Sequence, residues 1–148
     1  MYMEAREFED LPEERLKHIV RGISTGLKFL HDNCVIHRDI KPENILLSNS
    51  SNDSDSVIAD FGLATVVEEG KPVTQLCGTR GYIAPEILQC QPYAYPVDVY
   101  SFGVLLYSLY LGRLPFPELA VKASRRNKST ISSIIEELEL DFIDHKGK

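Results

Sequence analysis

The sequence predicts a mainly helical domain with one small β-hairpin. Residues 10–33 carry apolar side chains at helical spacing, and Asp98 to Gly112 is apolar almost all round, which is typical of a helix inside a core. Two short apolar runs, 45–47 and 57–59, flank the polar turn-forming segment 48–56, the pattern of a hairpin. At 148 residues the chain can bury about two thirds of its unfolded surface, so one domain is expected.

The first helix has a start signal and one broad apolar stripe. Asp10 and Glu13 are spaced as in a capping box, and Pro12 is expected in the first turn. The helix is expected to end near Asp32 and Asn33. The apolar stripe comprises Leu16, Ile19, Val20, Ile23, Leu27 and Leu30.

The rest of the chain is predicted from breakers and periodicity. Glycine and proline interrupt residues 60–85, which are expected to be irregular. The segment "RLPFPE" (113–118) ends the long apolar helix, and a basic loop at 122–130 leads to an amphipathic segment at 131–140. No internal repeat or domain linker is visible.

Composition excludes several classes of function. The net charge of −6 argues against a nucleic-acid partner, because phosphate binding favours a basic face. No apolar run reaches the roughly 18 residues of a membrane span, and the acidic N-terminus lacks the apolar core of a secretory signal. Cys34, Cys77 and Cys90 are odd in number and lack C-x-x-C spacing. An intracellular protein, cytoplasmic or nuclear, with reduced thiols is therefore expected.

Three blocks of polar residues follow one another in order. They are "HRDIKPEN" at 37–44, "DFG" at 60–62 and "GTRGYIAPE" at 78–86. Together they resemble the eukaryotic protein kinases, and the chain resembles the C-terminal lobe of that fold. Lys41 and Thr79 resemble the serine/threonine class, and the serine-rich loop with "GTRGYIAPE" favours the calcium/calmodulin-dependent group.

The resemblance implies ATP and Mg²⁺ as cofactors and a protein Ser or Thr hydroxyl as acceptor. Asp39 would accept the proton of that hydroxyl. Asn44 and Asp60 would hold Mg²⁺, a hard cation that prefers oxygen ligands. Lys41 would counter charge on the transferred phosphoryl group, and Thr79 would orient Asp39 and Lys41.

Further roles are implied for residues around this centre. Leu46 would form the floor under the adenine, and Glu43 belongs to the same nucleotide-binding set. Asp98 resembles the residue that anchors the catalytic loop through backbone N–H groups. His37 and Phe61 are expected to be packing elements rather than reactive groups.

Regulatory positions follow from the same resemblance. Gly62 completes the "DFG" block. Glu86 resembles a carboxylate that pairs with a later arginine. Arg38 could receive an activating phosphate, but Gln75 stands where many relatives carry it, so Thr74, one residue away, is the candidate.

The match also departs from a complete kinase domain. No glycine-rich loop or strand lysine precedes the catalytic loop, and "MYMEAREFEDL" resembles the hinge that leaves an N-terminal lobe. The sequence over 1–148 is therefore expected to be a partial kinase domain, without the N-lobe and the last helices, and weak or inactive alone. A missing N-lobe or a regulatory protein is an expected partner. The alternative is a non-catalytic kinase-like module that binds partners.

Overall fold

A computed structural model of the protein describes residues 12–47 and 56–117. This part of the chain is mainly helical with a small β-hairpin, as the sequence predicted, and it contains a second small antiparallel sheet that the sequence did not predict. A short 3₁₀ helix, Pro42–Asn44, comes directly before the strand Ile45–Leu47. The remaining elements are α1 (Glu13–Asp32), β1 (Val35–Ile36), β2 (Ile45–Leu47), β3 (Ser56–Ile58), β4 (Thr65–Val66), α2 (Pro85–Leu88) and α3 (Pro96–Leu111).

Helix α1 begins two residues later than the capping-box pattern predicts, because that pattern makes Asp10 the N-cap residue. Pro12 is the N-cap residue rather than a first-turn residue, and no side chain caps the helix. The carbonyl of Pro12 accepts a hydrogen bond from the Leu16 N–H at 3.1 Å. Glu13 and Glu14 lie in the first turn, where negative charge stabilises the positive end of the helix dipole. Asp10 lies outside the described residues.

The predicted hairpin is formed by β2 and β3. Ile45 pairs with Ile58 and Leu47 with Ser56, and the Ala59 N–H continues the ladder by donating to the Asn44 carbonyl at 2.8 Å. Strand β3 starts at Ser56 because that residue pairs with Leu47. Its connecting loop, residues 48–55, lies outside the described residues.

A second sheet lies where the sequence was expected to be irregular. Val35 pairs with Val66 and Ile36 with Thr65, and the Val67 N–H donates to the Cys34 carbonyl at 2.7 Å. Strands of two residues are too short to show alternation, and their pairing depends on a partner some thirty residues away. The expectation of irregular structure was therefore wrong at β4.

Two apolar clusters form the core. The first lies between α1, the hairpin and the second half of α3, and the second packs around α2 and the start of α3. The buried members of the first are Ile19, Ile23, Leu27, Ile40, Ile45, Ile58, Leu105 and Leu109. Those of the second are Ile36, Ile83, Ala84, Ile87, Tyr93 and Val97.

Helix α3 is buried on one side only. It ends at Gly112, whose left-handed φ of 64° suits a helix C-terminus. Val104, Leu105 and Leu109 are buried, whereas Tyr110 is 80% exposed. Burial all round was expected from composition, but no described element covers the outer side.

Three predicted segments fall outside the described residues: the hinge-like N-terminus, the basic loop at 122–130 and the amphipathic segment at 131–140. Among the described helices, none is both long enough and apolar enough to cross a membrane.

The contact between α1 and β3 requires a glycine. A Cβ on Gly22 would lie 2.2 Å from the Ser56 hydroxyl oxygen, and that hydroxyl donates to the Ile19 carbonyl at 2.8 Å. Gly22→Ala is therefore expected to lower the free energy of unfolding by about 1–3 kcal/mol, measured by urea denaturation.

Gly103→Ala on α3 is the matched control. A Cβ there meets nothing within 4 Å, and alanine is the better helix former, so stability should stay equal or rise by up to about 1 kcal/mol. Equal unfolding midpoints for the two variants would contradict the close approach of α1 and β3.

Candidate active site

The loop after β1 is fixed to α3 by one buried carboxylate. Asp98, in the first turn of α3, is completely buried. Its Oδ2 accepts from the His37 N–H and its Oδ1 from the Arg38 N–H, both at 2.8 Å. His31 Nε2, at the end of α1, lies 2.9 Å from Oδ2. Asp98 therefore joins two helices and the loop.

The loop residues have conformations that depend on this attachment. Arg38 has a left-handed φ of 68°, which is uncommon for a residue with a side chain. His37 is buried; its Nδ1 accepts from the Asp39 N–H at 3.3 Å and its Nε2 faces the Ala59 carbonyl at 3.1 Å. This pattern assigns the proton to Nε2. His37 is thus a packing and hydrogen-bonding element.

Asp39 is the centre of a charged hydrogen-bond network. Thr79 Oγ1 donates to Asp39 Oδ1 at 2.6 Å, and Lys41 Nζ lies 2.9 Å from Asp39 Oδ2. Lys41 also donates to Thr79 Oγ1 at 2.7 Å. Asn44 Nδ2 donates to the Asp39 carbonyl at 2.8 Å and to Oδ2 at 3.1 Å. The structure thus brings four of the predicted site residues into contact.

This network controls the charge of Asp39. Burial would raise the pKa of the carboxyl, but the hydrogen bonds from Thr79, Lys41 and Asn44, with the charge of Lys41, outweigh burial. The pKa of Asp39 is therefore lowered from its ordinary value, and the carboxylate is ionised at neutral pH.

Thr79 reaches Asp39 because a glycine precedes it. Gly78 has φ 110°, and a Cβ there would lie 2.7 Å from the Arg38 carbonyl oxygen. A side chain would therefore push residues 78–79 away from the loop.

Asn44 and Asp60 lie at the same end of the β2–β3 hairpin, because the Ala59 N–H bonds the Asn44 carbonyl. Asp60 is exposed, has a left-handed φ of 60°, and accepts from the Gly62 N–H at 3.1 Å. It is not part of the Asp39 network. A carboxylate and an amide oxygen are ligands that suit Mg²⁺, which binds few protein groups and keeps several waters.

The other predicted residues surround this centre without joining the network. Glu43 is exposed on the 3₁₀ helix and Leu46 is half-buried in β2; Thr74 is exposed. Glu86 is half-buried. Burial raises the pKa of Tyr100, and the charge of Glu86 raises it further.

Phe61 corrects one expectation. It was expected to be a core packing element, but its side chain is 50% exposed. Its ring and that of His37 are in an edge-to-face contact with a centroid distance of 5.1 Å.

Sequence reasoning named Gln75 only as the residue that stands in place of a phosphorylated one, and it missed Leu63 and Tyr93 as partners of the Arg38 side chain. Its Nε donates to the Leu63 carbonyl at 2.7 Å, and its Nη1 donates to Gln75 Oε1 and to the Tyr93 hydroxyl, each at 3.1 Å. His31 was also missed. No local pattern marks Tyr93, whereas the position of His31 at the end of the apolar stripe could have indicated it.

A comparison with protein families gives a match over nearly the whole chain. The model of the protein kinase domain matches residues 2–146. The chain belongs to the eukaryotic serine/threonine protein kinase family. The C-terminal-lobe assignment of the described fold agrees with this membership.

The kinase relatives come from several groups. Serine/threonine-protein kinase ATG1c of Arabidopsis thaliana is 40% identical over 90% of this chain and 19% of its own length. Calcium/calmodulin-dependent protein kinase type 1 of Caenorhabditis briggsae is 46% identical over 70% of this chain and 29% of its own length. The chain thus spans less than a third of these relatives. The calcium/calmodulin-dependent group favoured by the sequence is represented among them beside another group.

Removing the charge of Asp98 is expected to destabilise the protein, because the backbone N–H groups of His37 and Arg38 are bonded to that carboxylate. Asp98→Asn weakens three hydrogen bonds to a buried carboxylate and should cost about 2–3 kcal/mol of unfolding free energy, measured by urea denaturation. Asp32→Asn, which breaks only the exposed pair with Lys28, should change it by less than about 0.5 kcal/mol. Equal losses in the two variants would contradict the anchoring role.

The Thr79 hydroxyl is expected to control the pKa of Asp39 and therefore how the unfolding free energy depends on pH in acid. Because the folded-state pKa of Asp39 is lowered, its ionised form adds stability above the unfolded pKa of about 3.9, and this is lost as pH falls through the folded pKa. Thr79→Val should raise the folded-state pKa of Asp39, so the stabilisation at neutral pH becomes smaller and its loss is complete at a higher pH. Carboxyl ¹³C NMR titration and unfolding free energies measured from about pH 7 downward test this.

Thr79→Ser is the control for this experiment, because it keeps the hydroxyl and should keep the low pKa. Identical titration curves for the Val and Ser variants would show that the hydroxyl does not control Asp39.

Proposed function

We propose that this chain supplies the catalytic loop and the metal-binding side of a serine/threonine protein kinase active site. The observation that carries the proposal is the ionised Asp39, held between Thr79, Lys41 and Asn44. Such a carboxylate is suited to orienting a substrate hydroxyl and accepting its proton, an effect typically worth about 10²–10⁴ in rate.

Each residue of the network has a distinct task. Thr79 and Asn44 fix the carboxylate plane of Asp39 by donating to different oxygens. Lys41 places a positive charge beside Asp39, where negative charge would gather during phosphate transfer. Since phosphoryl transfer depends on positioning and charge neutralisation, this arrangement fits that reaction.

Magnesium ATP, when bound, supplies the γ-phosphoryl group and the cation that neutralises it. Asn44 would contribute its amide oxygen, since its Nδ2 is engaged with Asp39. Asp60 would contribute its exposed carboxylate, Leu46 would lie under the adenine, and Glu43 lies beside them on the 3₁₀ helix.

The proposed partners are the nucleotide and a protein carrying a Ser or Thr hydroxyl. The 148 residues contain no glycine before Gly22, so a glycine-rich loop over the phosphates would come from residues beyond these or from another chain. An intracellular compartment and a regulatory partner stay predictions.

The function is tested in the protein expressed from its complete gene, with Mg-ATP and a generic Ser/Thr substrate. Asp39→Asn is expected to lower radiolabelled phosphate transfer by about 10²–10⁴-fold, because it removes the acceptor of the hydroxyl proton. Asp32→Asn, the same change at an exposed site, should leave transfer unchanged. The 148-residue chain alone should transfer little.

Three results would alter the proposal. Transfer unaffected by Asp39→Asn would overturn the assigned role. Robust transfer by the 148-residue chain, abolished by Asp39→Asn, would overturn the expectation of weakness alone. No transfer by the complete protein, with no rise in its melting temperature under Mg-ATP, would favour a non-catalytic binding module. If the protein binds the nucleotide, a concentration of about 100 times the Kd should add about 2.7 kcal/mol to the free energy of unfolding.

A further inference from the structure

The side chain of Arg38 is a buried cation with neutral partners. The residue is 8% exposed, and its guanidinium donates to the Leu63 carbonyl, the Gln75 amide oxygen and the Tyr93 hydroxyl. Within residues 12–47 and 56–117, no carboxylate forms an ion pair with it. Burying a charge is costly unless hydrogen bonds or a counter-charge compensate, so these three acceptors carry that task.

The acceptors come from segments far apart in the chain, and two of them, Gln75 and Tyr93, are bonded to each other. The Tyr93 hydroxyl donates to the Gln75 carbonyl at 2.6 Å, and the Tyr93 N–H donates to the Val73 carbonyl at 2.9 Å. Tyr93 therefore binds the segment 73–75 through both its backbone and its side chain. Arg38 ties this segment to the loop that carries Asp39.

We propose that Gln75 and Tyr93 are positioning residues for the catalytic loop, which they hold through Arg38 with neutral hydrogen bonds. The consequence is that, among the described residues, the segment 73–79, including Thr79, is kept against Asp39 without a carboxylate paired with Arg38. This inference rests on the proposed kinase function only in that the loop carrying Asp39 is taken to be catalytic. Its tests are made without nucleotide, so its failure is distinguishable from a failure to transfer phosphate.

The first test removes the neutral acceptor. Gln75→Leu keeps a side chain of similar size but takes away the oxygen that faces Arg38. Hydrogen exchange of the Tyr93 amide should become roughly ten- to a hundredfold faster, because a hydrogen bond to a charged group is lost. Tyr93→Phe should likewise speed exchange of the amides in 73–79.

Thr74→Val is the matched control, because Thr74 is the exposed neighbour of Gln75 and takes no part in the cluster. Its exchange rates should equal those of the unmodified chain. Unchanged exchange in Gln75→Leu and Tyr93→Phe, or equal acceleration in Thr74→Val, would overturn the proposal.

The second test adds the missing counter-charge. Gln75→Glu would place a carboxylate where the amide oxygen now accepts from Arg38, near the hydroxyl of Tyr93 and the thiol of Cys77, which lies 3.9 Å from that hydroxyl. The melting temperature at pH 7 should rise by about 3–6 °C. Since pairing lowers the pKa of the new carboxyl, the gain should vanish as pH falls below about 4.

Gln91→Glu is the control for charge alone, since Gln91 is exposed and outside the cluster. It should give no comparable rise at pH 7. An equal rise in Gln91→Glu, or no rise in Gln75→Glu, would show that Arg38 is not held by the residue at position 75.

Discussion

The conformation of the loop that carries Asp39 depends on one buried carboxylate. Asp98 of α3 receives the backbone N–H groups of His37 and Arg38 and faces His31 of α1. An unpaired buried carboxylate would be strongly destabilising, so these donors must be in place when α3 packs into the core. The packing of α3 and the conformation of the loop are therefore coupled. The loop cannot change its conformation without losing the hydrogen bonds to Asp98 that join it to the two helices.

This coupling explains how the loop tolerates unusual backbone conformations. Arg38 has a left-handed φ, a cost that a free loop would avoid. The bonds of its N–H to Asp98 and of its side chain to Leu63, Gln75 and Tyr93 compensate for that cost. The result is that Asp39, the next residue, points at Thr79 and Lys41 with little freedom, which is the preorganisation that electrostatic catalysis requires.

Prediction from sequence succeeded where the signal is local. The stripe of α1 and the apolar runs of the hairpin show in a few consecutive residues, and the "HRDIKPEN" block contains three members of the Asp39 network. The roles of these three residues and of Thr79, which lies in a separate block, were predicted by resemblance. The β1–β4 sheet, the exposure of Phe61 and the attachment of Arg38 to Gln75 and Tyr93 escaped prediction, because each depends on residues brought together from distant positions.

The two halves of the candidate site differ in how they are held. Asp39 is fixed by three side chains, whereas the exposed Asp60 has its hydrogen bond within its own turn, to Gly62. A cation that used both Asn44 and Asp60 would therefore have to hold the Asp60 carboxylate in place itself, since no side chain of the described residues bonds it. The entropy cost of assembling the site falls on that step, so metal binding should be weak unless other contacts to the nucleotide contribute to it.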